Sequence, residues 1–529
     1  MNISPDMAQT EDLSLKTRTL ASSVGIIVFL TILSRPFGIA REMLTAAYFG
    51  AGWRLDIFLL ASSIPVFLCA VLGGGLVQAV VPAFSLALEK GRDHAWALLT
   101  ALARLFLLLT LPLIFLNIVI APWIIRLLFH HNVSPSVLAF GVQIYRLLSL
   151  AIIWGVLSGL VIGAANTLHF YGFTTIRSVA YNGIIMASLI LLHKKIGIYS
   201  LGIGLLLAEF SQIFVVVPPL WNKGYRFQEF SGETTKLVRI VFGAFIPAMI
   251  LNGMGQANYL VDRILALPLG EGCISSLHYA WRLILVPASL LSVAFATPLL
   301  SLLSRHEARQ ERERTGALFM RTVKTLVFFS LPVTFLVLLT NREIVSLVYG
   351  WGRFNAKGVD LTSSCLFFYS PGLPFQLLLP VCIAGFLAVR KPWIPVLVSL
   401  PMVPLNWLLD VLLMGPFRHA GIALSTSLIY LLNVALLLLL LKKYLSPYSR
   451  LGLAVRHVKF LVSAFLLFGV VWCVHSVTKY SFMANRLNIL FELMIVSMIT
   501  IMGYGLLAYM YRMESMEFLG KLRLKSKEE

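Results

Sequence analysis

Stretches of about 20 apolar residues recur from one end of this chain to the other, and each is as long as a helix needs to cross a bilayer. Hydrocarbon holds no water to satisfy a backbone. A spanning segment must therefore close its own hydrogen bonds as a helix or join a closed barrel. The spans are helix-length, which predicts an all-α polytopic membrane protein. Fourteen spans are expected, the first near 22–47, the seventh near 237–266, the eighth near 273–304, and the last two near 457–477 and 487–511. Composition agrees: 59% of the residues are hydrophobic and 12% charged, where a soluble domain carries roughly 25% charged.

An even number of spans puts both termini on one side. With the N-terminus inside, the cytoplasmic segments hold about 26 Lys and Arg and the outer loops about 10, the asymmetry that sets orientation. Both termini are therefore expected in the cytoplasm. The net charge of +20 is spread along these inner segments, which argues against a nucleic-acid partner. The basic stretch Lys521-Leu522-Arg523-Leu524-Lys525 reads as a solvated or lipid-facing anchor. The mixed run Arg305 to Arg314 reads as a solvated connector. The first 20 residues show no cleavable signal, so the first span is expected to direct insertion. Five scattered cysteines (Cys69, Cys273, Cys365, Cys382, Cys473) have no metal or disulfide spacing. No GxGxxG, Walker loop or HExxH is present, so no nucleotide or zinc cofactor is signalled.

The two halves of the chain repeat. Arg41 corresponds to Arg263, Ile64-Pro65 to Val286-Pro287, Pro82 to Pro298 and Leu201-Gly202 to Ala420-Gly421, in order and at a near-constant offset. This predicts two homologous six-helix lobes, 1–221 and 222–445, with helices 13–14 and the basic tail at 446–529. Six spans per lobe make the repeat parallel. Transporters of that kind bind substrate near the midplane between the halves.

The repeat gives the intramembrane charges a geometry. Charge in hydrocarbon costs roughly 3 kcal/mol even on lenient scales, so such residues commonly serve a ligand or ion path. Arg35 and Arg41 lie on the first helix of one half, about 120° apart and roughly 9 Å along the axis. Asp262 and Arg263 lie on the first helix of the other half, and Arg282 on the eighth span. Facing each other across a central cleft, these arginines imply an anionic ligand. The planar guanidinium suits phosphate or diphosphate because it donates bidentately. The competing reading has Arg41, Glu42 and Arg282 snorkelling at helix ends.

A second polar group suits a cation. Asn406 and Asp410 share a helical face at i, i+4; Thr426 lies in the next span, and Asp262 is a further acid that could approach. Hard oxygens of this kind fit Na⁺ or a proton, while the plain alternative is an interhelical hydrogen-bond pair. Glu209 and Glu492 are lone acids in spans 6 and 14, expected to pair with nearby polar groups. Gly73-Gly74-Gly75 and the series Gly155, Gly159, Gly163 allow close helix approach or, for the triple glycine, a mobile bend.

At these residues the chain resembles the MurJ (MviN) family of lipid II flippases, in the MATE-like (MOP) exporter superfamily. The resemblance is carried by Ser34-Arg35-x-x-Gly38-x-x-Arg41-Glu42 and by Tyr48-Phe49-Gly50-Ala51-Gly52-x-x-x-Asp56. It continues through Val261-Asp262-Arg263, Tyr279-Ala280-x-Arg282 and Gly415-Pro416-x-x-His419-Ala420-Gly421. It implies a fourteen-helix, two-lobed fold around a cationic cavity, with Arg35, Arg41, Glu42 and Arg282 as cavity residues and Asp56 as an outer-loop acid. It also implies export of undecaprenyl-diphosphate-linked peptidoglycan precursor across the bacterial inner membrane, with the last two helices forming a groove for the polyprenyl tail. Asp262, Asn406, Asp410 and Thr426 fit the sodium ligand pattern of some members.

Two departures bear on the substrate. The family has charge after the span-2 proline, where this chain reads Val66-Phe67-Leu68-Cys69-Ala70-Val71-Leu72-Gly73-Gly74. It often has an acid before the span-8 arginine, where this chain has Trp281. The expected function is that of a monomeric, alternating-access lipid II flippase, not an enzyme. The alternatives are a flippase for another polyprenyl-diphosphate glycan, such as an exopolysaccharide or O-antigen unit, and a cation-coupled drug exporter. The cavity arginines disfavour the exporter. A membrane glycosyltransferase or ligase needs catalytic acids or a sizeable soluble loop, and a scaffold needs no charge in both first helices.

Overall fold

The apolar spans fold as helices because each can close its backbone only upon itself, and the regular structure is helical throughout the described residues. The computed structural model describes residues 34–129, 134–168, 170–226, 228, 232–445, 455–482 and 486–511. The start of the first expected span and the basic tail lie outside them. Twelve helices among the described residues are long and apolar enough to cross a membrane. They match twelve of the fourteen expected spans. Of the other two, the first contributes the helix over 34–49 (α1), and the eighth falls on Cys273–Ala308.

The chain divides into two compact units. The first takes α1 and the segment Trp53–Leu267. Its helices are α2 (Trp53–Lys90), α3 (Arg92–Phe129), α4 (Pro135–Ser149), α5 (Ala151–Thr167), α6 (Tyr171–Ile196), α7 (Tyr199–Asn222) and α8 (Gly232–Ala266). The central helix is α2, with α5 and α8 packed along it. The triple glycine makes this packing close. A Cβ on Gly159 of α5 would stand 2.4 Å from the Gly73 carbonyl oxygen, and one on Gly73 would stand 2.6 Å from that of Gly155. Gly74 and Gly75 face Asn252, Met249 and Phe245 of α8. The glycines thus serve backbone-to-backbone approach, the small-residue packing that lipid-embedded helices use. Leu76, Val80 and Phe84 continue the buried core with Trp96, Leu99, Val156, Leu160 and Phe245. The opposite face of α3 exposes Leu108, Phe115, Trp123 and Leu127, as a lipid-facing surface does.

The second unit takes Gly50–Gly52 and the chain from Pro268. Its helices are α9 (Cys273–Ala308), α10 (Arg312–Leu339), α11 (Asn341–Tyr349), α12 (Ala356–Tyr369), α13 (Leu373–Ala388), α14 (Trp393–Ser399), α15 (Met402–Phe417), α16 (His419–Leu441), α17 (Val455–Phe482) and α18 (Arg486–Met510). A core of Leu303, Phe319, Leu326, Val381, Phe386, Leu437 and Leu441 joins α9, α10, α13 and α16. Gly50 has φ +64, and a Cβ there would stand 2.6 Å from the Arg353 carbonyl oxygen. Both the left-handed backbone and the contact demand glycine, which accounts for its place in the Tyr48–Gly52 motif.

Packing and repeat divide the chain at different points. The repeat starts its second half at 222, whereas α8 packs with the first unit as far as Leu267. The close approach of α2 and α8 is the physical reason.

Candidate functional site

In the first unit, α1 carries three of the singled-out charges. Arg41 and Glu42 form an ion pair with each other, and both side chains are largely buried. Thr45 Oγ1 donates to the Arg41 carbonyl at 2.9 Å. Arg35 lies about one and two-thirds turns earlier, and its Nε is buried without a hydrogen-bond partner among the described residues. Asp56 is buried in the first turn of α2, where the helix dipole favours a carboxylate.

Arg263 lies near the end of α8 and reaches onto α2. It donates to the Leu59 carbonyl oxygen at 2.7 Å and to Ser63 Oγ at 2.9 Å, and its guanidinium lies 4.8 Å from the Tyr259 ring centroid. The sequence marked the cation but not these acceptors. Only folding brings residues some 200 positions apart together. Asp262, its neighbour, is buried on the same helix.

The span-2 departure has a local packing reason. A Cβ on Gly155 of α5 would stand 3.2 Å from Cys69 Cβ. Within the uncharged stretch, Cys69 and Gly73 pack against Gly155 and Gly159 of α5, where a charged side chain has no room, while Val66 is exposed. Glu209, the lone acid of span 6, is bound by Gln212, which in turn accepts from Arg177; Tyr181 also hydrogen-bonds it. A cavity of about 860 Å³ lined by Trp53, Arg54, Phe140, Gln143, Lys195 and Tyr199 was not legible in the sequence.

In the second unit, Arg282 is part-buried on α9, and Trp281 beside it packs against Tyr369 and Tyr430. The departure to tryptophan therefore builds an aromatic cluster. Asn406 and Asp410 are buried on one face of α15, as the i, i+4 spacing predicted. Asn406 Nδ2 donates to Asp410 Oδ2 at 2.9 Å. The hydroxyl that meets the other carboxylate oxygen belongs to Ser425 of α16. Thr426 turns its hydroxyl to the Ile422 carbonyl at 3.1 Å. Thr426 is the next residue, about 100° further round the helix. Asp262 belongs to the first unit, so three of the four candidate cation ligands lie in the second.

Comparison with known proteins places this geometry. The sequence model of the lipid II flippase MurJ family matches residues 45–492. A lipid II flippase MurJ from Burkholderia cenocepacia is 26% identical over 429 residues, covering 78% of this chain and 82% of the relative. A probable lipid II flippase MurJ from Thermotoga maritima is 26% identical over 436 residues, covering 80% and 85%. Among solved structures, a lipid II flippase MurJ in an inward closed conformation superposes with TM-score 0.75 at 24% identity, covering 92% of this chain and 98% of that one. An inward-facing multidrug resistance MATE family transporter of the MOP superfamily superposes with TM-score 0.68 at 11% identity, covering 81% and 99%. These two likenesses are of fold. The family match spans most of the chain and takes in every candidate binding residue except Arg35, Arg41 and Glu42: this chain belongs to the lipid II flippase MurJ family.

Proposed function

We propose that this protein is a transporter that moves lipid II, the undecaprenyl-diphosphate-linked peptidoglycan precursor, from the inner to the outer leaflet of the bacterial inner membrane. The family match over residues 45–492 carries the reading. Partly buried arginines support it. Arg35, Arg41 and Arg263 of the first unit supply guanidinium groups for a diphosphate, and Arg282 of the second unit supplies another. Glu42 holds Arg41 in place, and Asp56 serves the outer end of α2. Transport proceeds by alternating access in a single copy, with both termini in the cytoplasm.

The oxygen set of the second unit fits a hard monovalent cation. Asp410 offers a carboxylate, Asn406 an amide oxygen, and Ser425 and Thr426 hydroxyls, with Asp262 of the first unit as a further candidate. Such an ion supplies charge to bias the conformational cycle. Holding it, Asn406 turns its amide oxygen inward, and Ser425 swings its proton off Asp410. A proton on Asp410 is the competing coupling ion.

The test is complementation. The chain is expressed in cells depleted of their own lipid II flippase, and lipid II exposed on the outer leaflet is measured. Restored exposure, lost again in Arg35→Ala at equal protein level, supports the reading. No restoration with the protein present in the membrane points to another polyprenyl-diphosphate glycan, the reading that the uncharged Val66–Gly74 stretch favours.

A further inference from the structure

The last two helices, α17 and α18, form a hairpin that packs on α10 and α11 within the second unit. Most of the seam is apolar. Phe468 stacks on Phe335 at 3.7 Å, Leu339 packs with Val471 and Val496, and Tyr504 donates to the Phe328 carbonyl at 2.9 Å. Near one end the apolar packing is interrupted by three ionisable side chains, each from a different helix. Glu343 comes from α11, His475 from α17 and Glu492 from α18.

These three converge on the imidazole. His475 Nδ1 lies 3.0 Å from Glu492 Oε1, and Nε2 lies 3.8 Å from Glu343 Oε1. The side chains are 2–4% exposed. Each ring nitrogen therefore faces a different carboxyl group. A neutral imidazole carries one N–H and one lone pair. Set between two ionised carboxylates, it turns a lone pair on an anion, with little water to screen the repulsion. Two arrangements avoid this: an imidazolium donating to both sides, or a neutral ring with one carboxyl group protonated. Both hold one proton more than two carboxylates and a neutral ring.

Lys479 follows His475 by about one turn on α17. Among the described side chains, Arg342 pairs with Asp360 at 2.9 Å, both substantially exposed. Arg486, at the start of α18, lies 3.7 Å over the Trp351 ring and donates to the Gly350 carbonyl. Lys357 is the remaining charge on α12 and is exposed. Beyond Lys324, α10 has no charged residue; neither does α17 between Lys459 and His475, nor α18 between Glu492 and Met510.

We propose that Glu343, His475 and Glu492 form a proton-binding site that latches the C-terminal hairpin to α11. With the proton bound, the ring bridges the two carboxyl groups and joins three helices. Its loss leaves two carboxylates against a neutral ring, and the end of the hairpin nearest Glu492 loosens. The apolar seam further along, built from Phe335, Phe468, Phe328, Phe460 and Tyr504, contains no carboxylate or imidazole and stays in place. The site thus makes seating of the hairpin depend on pH, whichever lipid the protein moves.

The experiment is hydrogen–deuterium exchange on the full chain in lipid nanodiscs, corrected for intrinsic amide rates. It spans about two pH units on either side of the ordinary imidazole value of about 6.5. Residues 486–496 report the latch and residues 460–471 serve as the internal control. Release of one proton on opening makes protection of 486–496 fall up to about tenfold per pH unit as pH rises, while the control segment does not change. Glu492→Gln removes one carboxylate and keeps a hydrogen-bonding group, so protection of 486–496 becomes independent of pH; Glu343→Gln gives the same result from the opposite side of the ring. Unchanged protection in the wild type, or the same pH dependence surviving in both variants, overturns the proposal. Since exchange reads the hairpin directly, failure here is separate from failure to restore lipid II export.

Discussion

The two units hold their helices together in opposite ways. In the first, α2 meets α5 through the absence of side chains: Gly73 faces Gly155 and Gly159, and the backbones touch. In the second, the α17–α18 hairpin is held by filled space, with the rings of Phe335 and Phe468 in contact, those of Phe328 and Phe460 packed against Tyr504, and a buried polar cluster at one end. Lipid tails are as apolar as leucine, so neither seam gains from exclusion of water; both rely on contact and on satisfied polar groups. A backbone contact tolerates no added atom. An aromatic seam loses stability in steps, according to how much of a ring is removed.

Substitutions can break that contrast. The largest effect is expected at Gly159→Leu. Its new side chain must start 2.4 Å from the Gly73 oxygen, and a loss of about 4 kcal/mol or more follows, read as loss of folded protein in thermal melts in detergent. Phe468→Ala is expected to cost about 3 kcal/mol and to lower the melting temperature without abolishing folding. If the two variants behave alike, the contrast between the seams is wrong.

Smaller effects sharpen it. Ser425→Ala removes a donor from the buried Asp410 carboxylate and is expected to cost about 1–2 kcal/mol. Thr426→Ala, which loses only a bond to its own helix, is expected to cost roughly 0.5 kcal/mol. The same melts separate the neighbours, and equal losses sink the assignment of Ser425 to Asp410. At the exposed rim of the hairpin, Arg486→Ala loses its ring contact with Trp351 and is expected to cost about 0.5–1 kcal/mol.

The glycine series illustrates what the sequence can and cannot say. Small residues at every fourth position announced a close approach, and the triple glycine in α2 left packing and bending open. The structure pairs the two stretches, which no local pattern could do because they belong to different spans. Asn406 and Asp410 were legible because both lie on one helix at a fixed spacing. Ser425 was not, because its meeting with Asp410 depends on how α16 is rotated against α15. Glu492 looked solitary for the same reason. Its partner His475 is 17 residues away on another helix, and Glu343 belongs to a helix far earlier in the chain. The arginines of α1 and α8 stood out because charge in an apolar span is rare; the acceptors for Arg263, a carbonyl and a serine hydroxyl, are commonplace in such spans and carry no signal.

The α15–α16 pair also bears on how the chain is made. Asp410 enters the bilayer on α15, and a lone aspartate near a helix centre costs about 2.5–3.5 kcal/mol on insertion scales. Asn406, on the same helix, can relieve part of that at once. Ser425 cannot reach it until α16 has emerged. The connection is a single residue, Arg418, with φ 53, so α16 follows with almost no intervening chain. The second donor for the carboxylate is therefore synthesised only 15 residues behind it, and the two helices are best inserted together as one hairpin, with the acid already shielded as it leaves the translocation channel.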